Sequence, residues 1–222
     1  ETIQMGVPIA RIELLDTAAI GAVNQYSGTD YPLLPHLFLE FHGTQAWVSE
    51  QAAIVKELAD ENLGSEFQWA SNTEDRAALW QARHDFAYAA RAMRPNARIF
   101  STDVCVPISQ LAECILETVA DIKSLNIVMP IVGHVGDGNV HVVLAVDPDN
   151  EAEMALIDAF HTRLIRRALN AGGTCTGEHG IGQGKKAFLV EELPAGVELM
   201  RTIKCALDPD NLMNPGKVVD ID

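Results

Sequence analysis

The residues best suited to chemistry in this 222-residue chain fall in two short segments. Gly133 to His141 reads Gly-His-Val-Gly-Asp-Gly-Asn-Val-His, and Gly173 to Gly182 reads Gly-Thr-Cys-Thr-Gly-Glu-His-Gly-Ile-Gly. Glycine reaches backbone angles closed to other residues, so the first segment is expected to turn tightly. Such a turn brings His134 back toward His141. Joined by Glu178 or His179 from the second segment, they form a two-histidine, one-carboxylate set that suits a divalent transition metal with open positions. Glu178 is expected as the third ligand. That leaves His179 as a free base or acid, because imidazole titrates near neutrality. Asp137 and Asn139 are expected to hold the turn through side-chain to backbone bonds.

Other polar positions carry weaker signals. Arg83, in Leu79-Trp80-Gln-Ala-Arg83-His84, reads from the sequence as a solvated or ion-paired helix residue, although a planar guanidinium is the natural grip for a carboxylate. Gly180 to Lys186 lacks the spacing of a Walker loop and reads at most as an anion nest. Asn214-Pro215-Gly216-Lys217 reads as a terminal turn.

These residues need elements to position them, and strand and helix patterns alternate along the chain. Strands are predicted over 9–15, 36–41, 66–70, 99–106, 127–132 and 140–146. Helices are predicted over 17–26 behind an Asp16 cap, 45–62 with Gly64 as the terminal cap, 73–92, 107–125, 151–171 and 195–207. No G-x-G-x-x-G follows the first strand, which argues against a dinucleotide-binding unit. The expectation is an α+β fold: an antiparallel sheet with helices mainly on one face and a C-terminal helical segment. Two rounds, about 7–95 and 97–172, suggest duplicated ferredoxin-like units.

Composition narrows the partners. Sixteen Lys and Arg against 31 Asp and Glu give a net charge of −15, a poor match for nucleic acid or anionic lipid. No apolar run approaches the roughly 20 residues of a membrane-spanning helix. The opening Glu1-Thr2-Ile3-Gln4 has neither a signal-peptide pattern nor an initiator Met, so a piece of a longer protein is expected. Cys105, Cys114, Cys175 and Cys205 show no C-x-x-C spacing and are expected as reduced thiols in a cytoplasmic compartment.

Four segments, in order, resemble the C-terminal domain of the FAD-linked oxidases, in the D-lactate dehydrogenase (cytochrome) and glycolate oxidase subunit branch. They are Phe100-Ser-Thr-Asp-Val-Cys-Val-Pro107, Gly133 to His141, Gly173 to Gly182, and Leu207-Asp-Pro-Asp-Asn-Leu-Met-Asn-Pro-Gly-Lys217. The resemblance covers essentially residues 1–222 and implies the substrate half of a flavoenzyme that oxidises a 2-hydroxy acid. The FAD-binding domain would lie outside this chain, so the chain alone is expected to be inactive. By the resemblance, His134, His141 and Glu178 bind zinc or manganese, with Glu178 also near the cofactor. His179 takes the hydroxyl proton, Arg83 grips the substrate carboxylate, and Asn214 and Lys217 lie against FAD. The redox acceptor is left open among cytochrome c, a quinone and an electron-transfer flavoprotein. The parent is expected to be cytoplasmic or peripheral to an inner membrane, with room for a homodimer.

Ser101 stands where hydroxyglutarate-type relatives carry a lysine, which favours D-lactate over D-2-hydroxyglutarate; glycolate is the other alternative. Two rivals belong to different classes. One is a metal-dependent hydrolase, since two histidines and a glutamate around zinc also activate water. The other is a non-catalytic module that binds a small hydroxy acid.

Overall fold

A computed structural model describes residues 1–65, 67–70, 72–125 and 127–221. The elements run β1 (Ile9–Leu15), α1 (Thr17–Ser27), β2 (His36–Phe41), α2 (Gln45–Glu61), α3 (Thr73–Ala92), β3 (Arg98–Ser101), β4 (Val104–Cys105), α4 (Ile108–Leu125), β5 (Ile131–His134), β6 (Asn139–Val146), α5 (Glu151–Asn170), α6 (Lys186–Glu192) and α7 (Pro194–Leu207). The sheet order is β2-β1-β5-β6-β3, with β4 also paired to β6, and every pairing is antiparallel. Asp16 caps α1 as expected, its carboxylate accepting from the Ala19 N–H at 2.8 Å.

The α+β class and the antiparallel sheet match the sequence reading, but the helices divide between both faces. On one face Val140, Val142, Leu144 and Val146 pack with Leu111 of α4 and Phe160 and Leu164 of α5. On the other, Val132 and Val143 join Leu15, Ile20 and Val23 with Phe86 and Ala89 of α3. The reason lies in β6, where the consecutive residues Val142, Val143 and Leu144 are all apolar. Alternate side chains point to opposite faces of a strand, so such a run needs cover on both. Burying a Val or Leu side chain contributes about 1.5–3 kcal/mol, which makes β6 the axis of the fold.

Four local readings change. Residues 67–70 form no strand, and Glu66 lies outside the described residues. The first half therefore runs β-α-β-α-α, lacking the strand that a duplicated ferredoxin-like unit would need. The strand predicted over 99–106 breaks at Thr102–Asp103, because those two polar residues turn inward rather than extend the ladder. At the end of α2 the left-handed residue is Leu63, with φ 62°, while the Gly64 N–H closes onto Ala59 O at 2.7 Å. The strand before the glycine turn begins at Ile131 and runs on to His134, which puts that histidine in the ladder.

The C-terminal helices pack through Leu189 and Val197, with Val219 of the tail. Helix α7 leaves Leu199, Ile203 and Leu207 exposed in a line along its opposite side. Among the described residues, no helix is long and apolar enough to cross a membrane.

Candidate metal centre and active site

Strand register builds the site. His134 pairs with Asn139 across the turn, and Val132 pairs with His141, so both histidines project from the same face of the sheet. On the far side of β5, His134 pairs with Glu13 of β1. The turn is tight because Gly138, with φ 81°, sits against the Val106 carbonyl where a Cβ would overlap it.

Each histidine has its tautomer set by an acceptor behind it. His141 Nδ1 donates to the Thr102 carbonyl at 2.9 Å, and His134 Nδ1 donates to Glu13 Oε1 at 2.6 Å. Neither acceptor carries a proton to give back, so each ring, when neutral, presents an Nε2 lone pair. Those nitrogens face Glu178 Oε1 at 3.6 Å from His134 and 3.0 Å from His141. The ligand atoms of the three residues lie within 4.8 Å of one another. Burial pushes the His141 imidazole below its ordinary value, against the opposing pull of the Thr102 carbonyl, Asp103 and Glu178. His141 Nε2 is buried and makes no directed hydrogen bond. With both rings neutral, two lone pairs and a carboxylate oxygen converge with no donor among them. A cation resolves that conflict, and a donor set of two imidazoles and one carboxylate fits zinc or manganese.

The loop that carries Glu178 and His179 hangs from a residue that the sequence reading passed over. Asp103, buried at the break between β3 and β4, accepts from the backbone N–H groups of Gly177 at 2.9 Å, Glu178 at 3.2 Å and His179 at 3.0 Å. It also accepts from the Thr176 hydroxyl at 2.6 Å and the Asn139 amide at 2.8 Å. The buried Lys185 donates to the Asp103 carbonyl at 2.7 Å and lies 3.6 Å from its carboxylate. Burial alone would raise the Asp103 carboxyl. The bonds from Thr176, His179 and Asn139 and the Lys185 charge outweigh it and hold the group well below the usual carboxylate range. Gly177 is required here, since a Cβ would overlap the Asn139 side chain. The available signal was a polar triplet, Ser101-Thr102-Asp103, inside an apolar run.

The remaining predicted residues fall around this centre. The His179 ring stands edge-on to His141 at 5.3 Å between centroids, with its side chain 57% exposed. Arg83 reaches from α3 to Glu13 Oε2, with Nε at 3.2 Å and Nη2 at 3.1 Å. It is ion-paired, as the residue pattern suggested, and sits one carboxylate away from His134. Asn214 and Lys217 lie in the exposed tail after α7, which meets the site loop where the Val218 N–H donates to Gly182 O at 2.8 Å. Neither residue contacts the histidine pair. Asn139 serves the turn and Asp103, in keeping with a structural role.

The chain belongs to the family of FAD linked oxidases, C-terminal domain, whose pattern matches residues 1–218. It is 52% identical to a probable mitochondrial D-lactate dehydrogenase of Danio rerio, over 100% of this chain and 45% of that one. It is 38% identical to the mitochondrial D-lactate dehydrogenase [cytochrome] of Arabidopsis thaliana, over 98% of this chain and 39% of that one. Identity to glycolate oxidase subunit GlcD of Bacillus subtilis is 29%, over 94% and 45%. The chain thus spans less than half the length of these relatives. Among solved structures, 4-ethylphenol oxidase from Gulosibacter chungangensis superposes with a TM-score of 0.65 at 16% identity, covering 94% of this chain and 47% of that one, a likeness of fold.

Proposed function

We propose that this chain forms the substrate-binding and flavin-covering half of an FAD-dependent dehydrogenase that oxidises D-2-hydroxy acids, with D-lactate going to pyruvate. The carrying observation is the convergence of the Nε2 atoms of two histidines, each with Nδ1 engaged, on Glu178, with His179 alongside. The family and the names of the relatives support a flavin-linked oxidation over a metal hydrolase.

His134, His141 and Glu178 would hold the metal, whose Lewis acidity lowers the pKa of a bound hydroxyl. Asn214 and Lys217 would lie against FAD, which when bound would supply the acceptor for the hydride from C2. Arg83 engages Glu13 through its Nε and Nη2 edge and keeps Nη1 for the substrate carboxylate. His179 accepts the hydroxyl proton as the carbonyl forms, and its exposed ring can then pass that proton to water. Ser101 bonds its own neighbour, the Thr102 carbonyl, and brings no cation for a second carboxylate, which favours a monocarboxylate over D-2-hydroxyglutarate. The electrons would pass on to cytochrome c, a quinone or an electron-transfer flavoprotein.

The test is stopped-flow flavin reduction in the full-length parent with D-lactate. His179→Ala is expected to slow reduction by about 10²–10⁴-fold while leaving D-lactate affinity largely intact. Reduction at the wild-type rate would move the base elsewhere.

A further inference from the structure

We infer that Glu13 is a positioning residue for the whole site: one buried carboxylate that sets a metal-ligand ring and the substrate clamp at a fixed separation. The inference rests on the hydroxy-acid reading above and adds a residue that reading does not contain.

Glu13 sits in β1 with only 6% of its surface exposed. A buried carboxylate is costly unless paired and hydrogen-bonded, so its partners show what it does. Its two oxygens are divided. Oε1 takes His134 Nδ1 at 2.6 Å, and Oε2 takes Arg83 Nε and Nη2 at 3.2 and 3.1 Å. Toward His134 the carboxylate is an acceptor only, so it places the ring proton on Nδ1 and turns Nε2 to the metal position. Toward Arg83 it occupies one edge of the guanidinium, and Nη1 makes no hydrogen bond among the described residues.

The sheet makes this arrangement stiff. Glu13 is the direct cross-strand partner of His134 on one side and of Phe38 on the other, so β1 is held in the middle of three strands. A 2-hydroxy acid carries its carboxylate and hydroxyl on adjacent carbons. Clamp and metal must therefore stay at one short spacing, and displacing a group by about 1 Å can cost 10²-fold in rate. Among the described residues, Glu13 is the single side chain that hydrogen-bonds both groups governing that spacing. A carboxylate that only offset the Arg83 charge would leave the His134 ring free to take either tautomer.

The experiment uses the 222-residue chain with zinc alone, read by calorimetry, and ¹⁵N NMR of the histidine rings in the metal-free protein. Wild-type His134 is expected as the Nδ1–H tautomer; an Nε2–H ring there overturns the proposal without any variant. Glu13→Gln is expected to weaken zinc binding by about 10–100-fold, the range for an outer partner of a ligand. It should also mix the His134 tautomers while His141, held by Thr102, keeps its own. Glu13→Asp preserves the charge but shortens the reach, so it should weaken zinc binding too. Zinc affinity unchanged in Glu13→Asp, or both rings altering together, overturns the proposal. Neither readout involves a hydroxy acid or a flavin. Failure here leaves the oxidase reading standing, and failure of D-lactate to reduce the parent's flavin removes the clamp from the proposal but leaves the Glu13–His134 part of it standing.

Discussion

The two halves of the site are built by opposite means. His134 and His141 stand on paired strands, backed by Glu13 and the Thr102 carbonyl, with His141 buried in the sheet. Glu178 and His179 stand on a glycine loop with both side chains more than half exposed, and the backbone beneath them hangs from Asp103. In the strand half, precision comes from side-chain partners. In the loop half it comes from peptide N–H groups; Glu178 reaches back to the histidines while the His179 ring stays exposed. The half that must only hold is rigid. The half assigned the proton step keeps freedom at the ring and none at the anchor.

The sharpest way to break this contrast is at the anchor. Asp103→Ala leaves Lys185 buried without its charge partner and three loop N–H groups without their acceptor. Urea denaturation should show a loss of about 3–5 kcal/mol. In whatever population stays folded, the ¹⁵N signature of the His134 ring should remain that of the wild type, whereas His141, 3.9 Å from Asp103, should respond; a change at His134 would mean that the halves are not separate.

Zinc affinity gives the next largest effect. His141→Ala should weaken binding by more than about 10²-fold, beyond the range for an outer partner, and Glu178→Gln should cost less because the strand pair remains. Equal losses in calorimetry would erase the distinction between the halves. Gly177→Ala is expected to cost about 1–3 kcal/mol through overlap with Asn139, confined to the loop. Hydrogen exchange that quickens at 176–180 and stays slow in β5 and β6 would agree.

Acid supplies the mildest contrast. His161, set edge-on against Phe100, is pushed down to about 4 by burial and the Lys185 charge, and its Nε2 has no partner. Its folded pKa lies below the unfolded value of 6.5, so the unfolded chain binds the proton first. Its contribution is complete above pH 6.5 and is lost as pH falls toward about 4. His161→Leu should flatten that decline in thermal melts. The loop anchor should survive this window, because Asp103 stays ionised well below it.

What the sequence disclosed follows from how local each device is. The histidine pair was legible because nine residues hold both rings and the glycines that fold them together. Glu178 and His179 stood out for the same reason, lying between Gly177 and Gly180. Glu13 was hidden. Glu13 shares the buried face of β1 with Leu15, and its partner there is an arginine seventy positions away, which no local pattern announces. Asp103 was hidden in the same way, since its ligands are peptide groups 74 to 76 residues downstream. The strand expected over 99–106 runs straight through it because hydropathy registers the polar triplet 101–103 as a dip, not as a turn. The division of helices between two faces was legible in principle from the unbroken apolar run of β6.

The exposed line of Leu199, Ile203 and Leu207 on α7 affects how the chain behaves in solution. A net charge of −15 keeps copies apart by mutual repulsion while a sticky ridge lies open. Salt shortens the reach of that repulsion from about 10 Å at 0.1 M to about 3 Å at 1 M, and leaves the ridge as oily as before. Dilute buffer, not concentrated salt, is therefore the medium in which this chain stays dispersed.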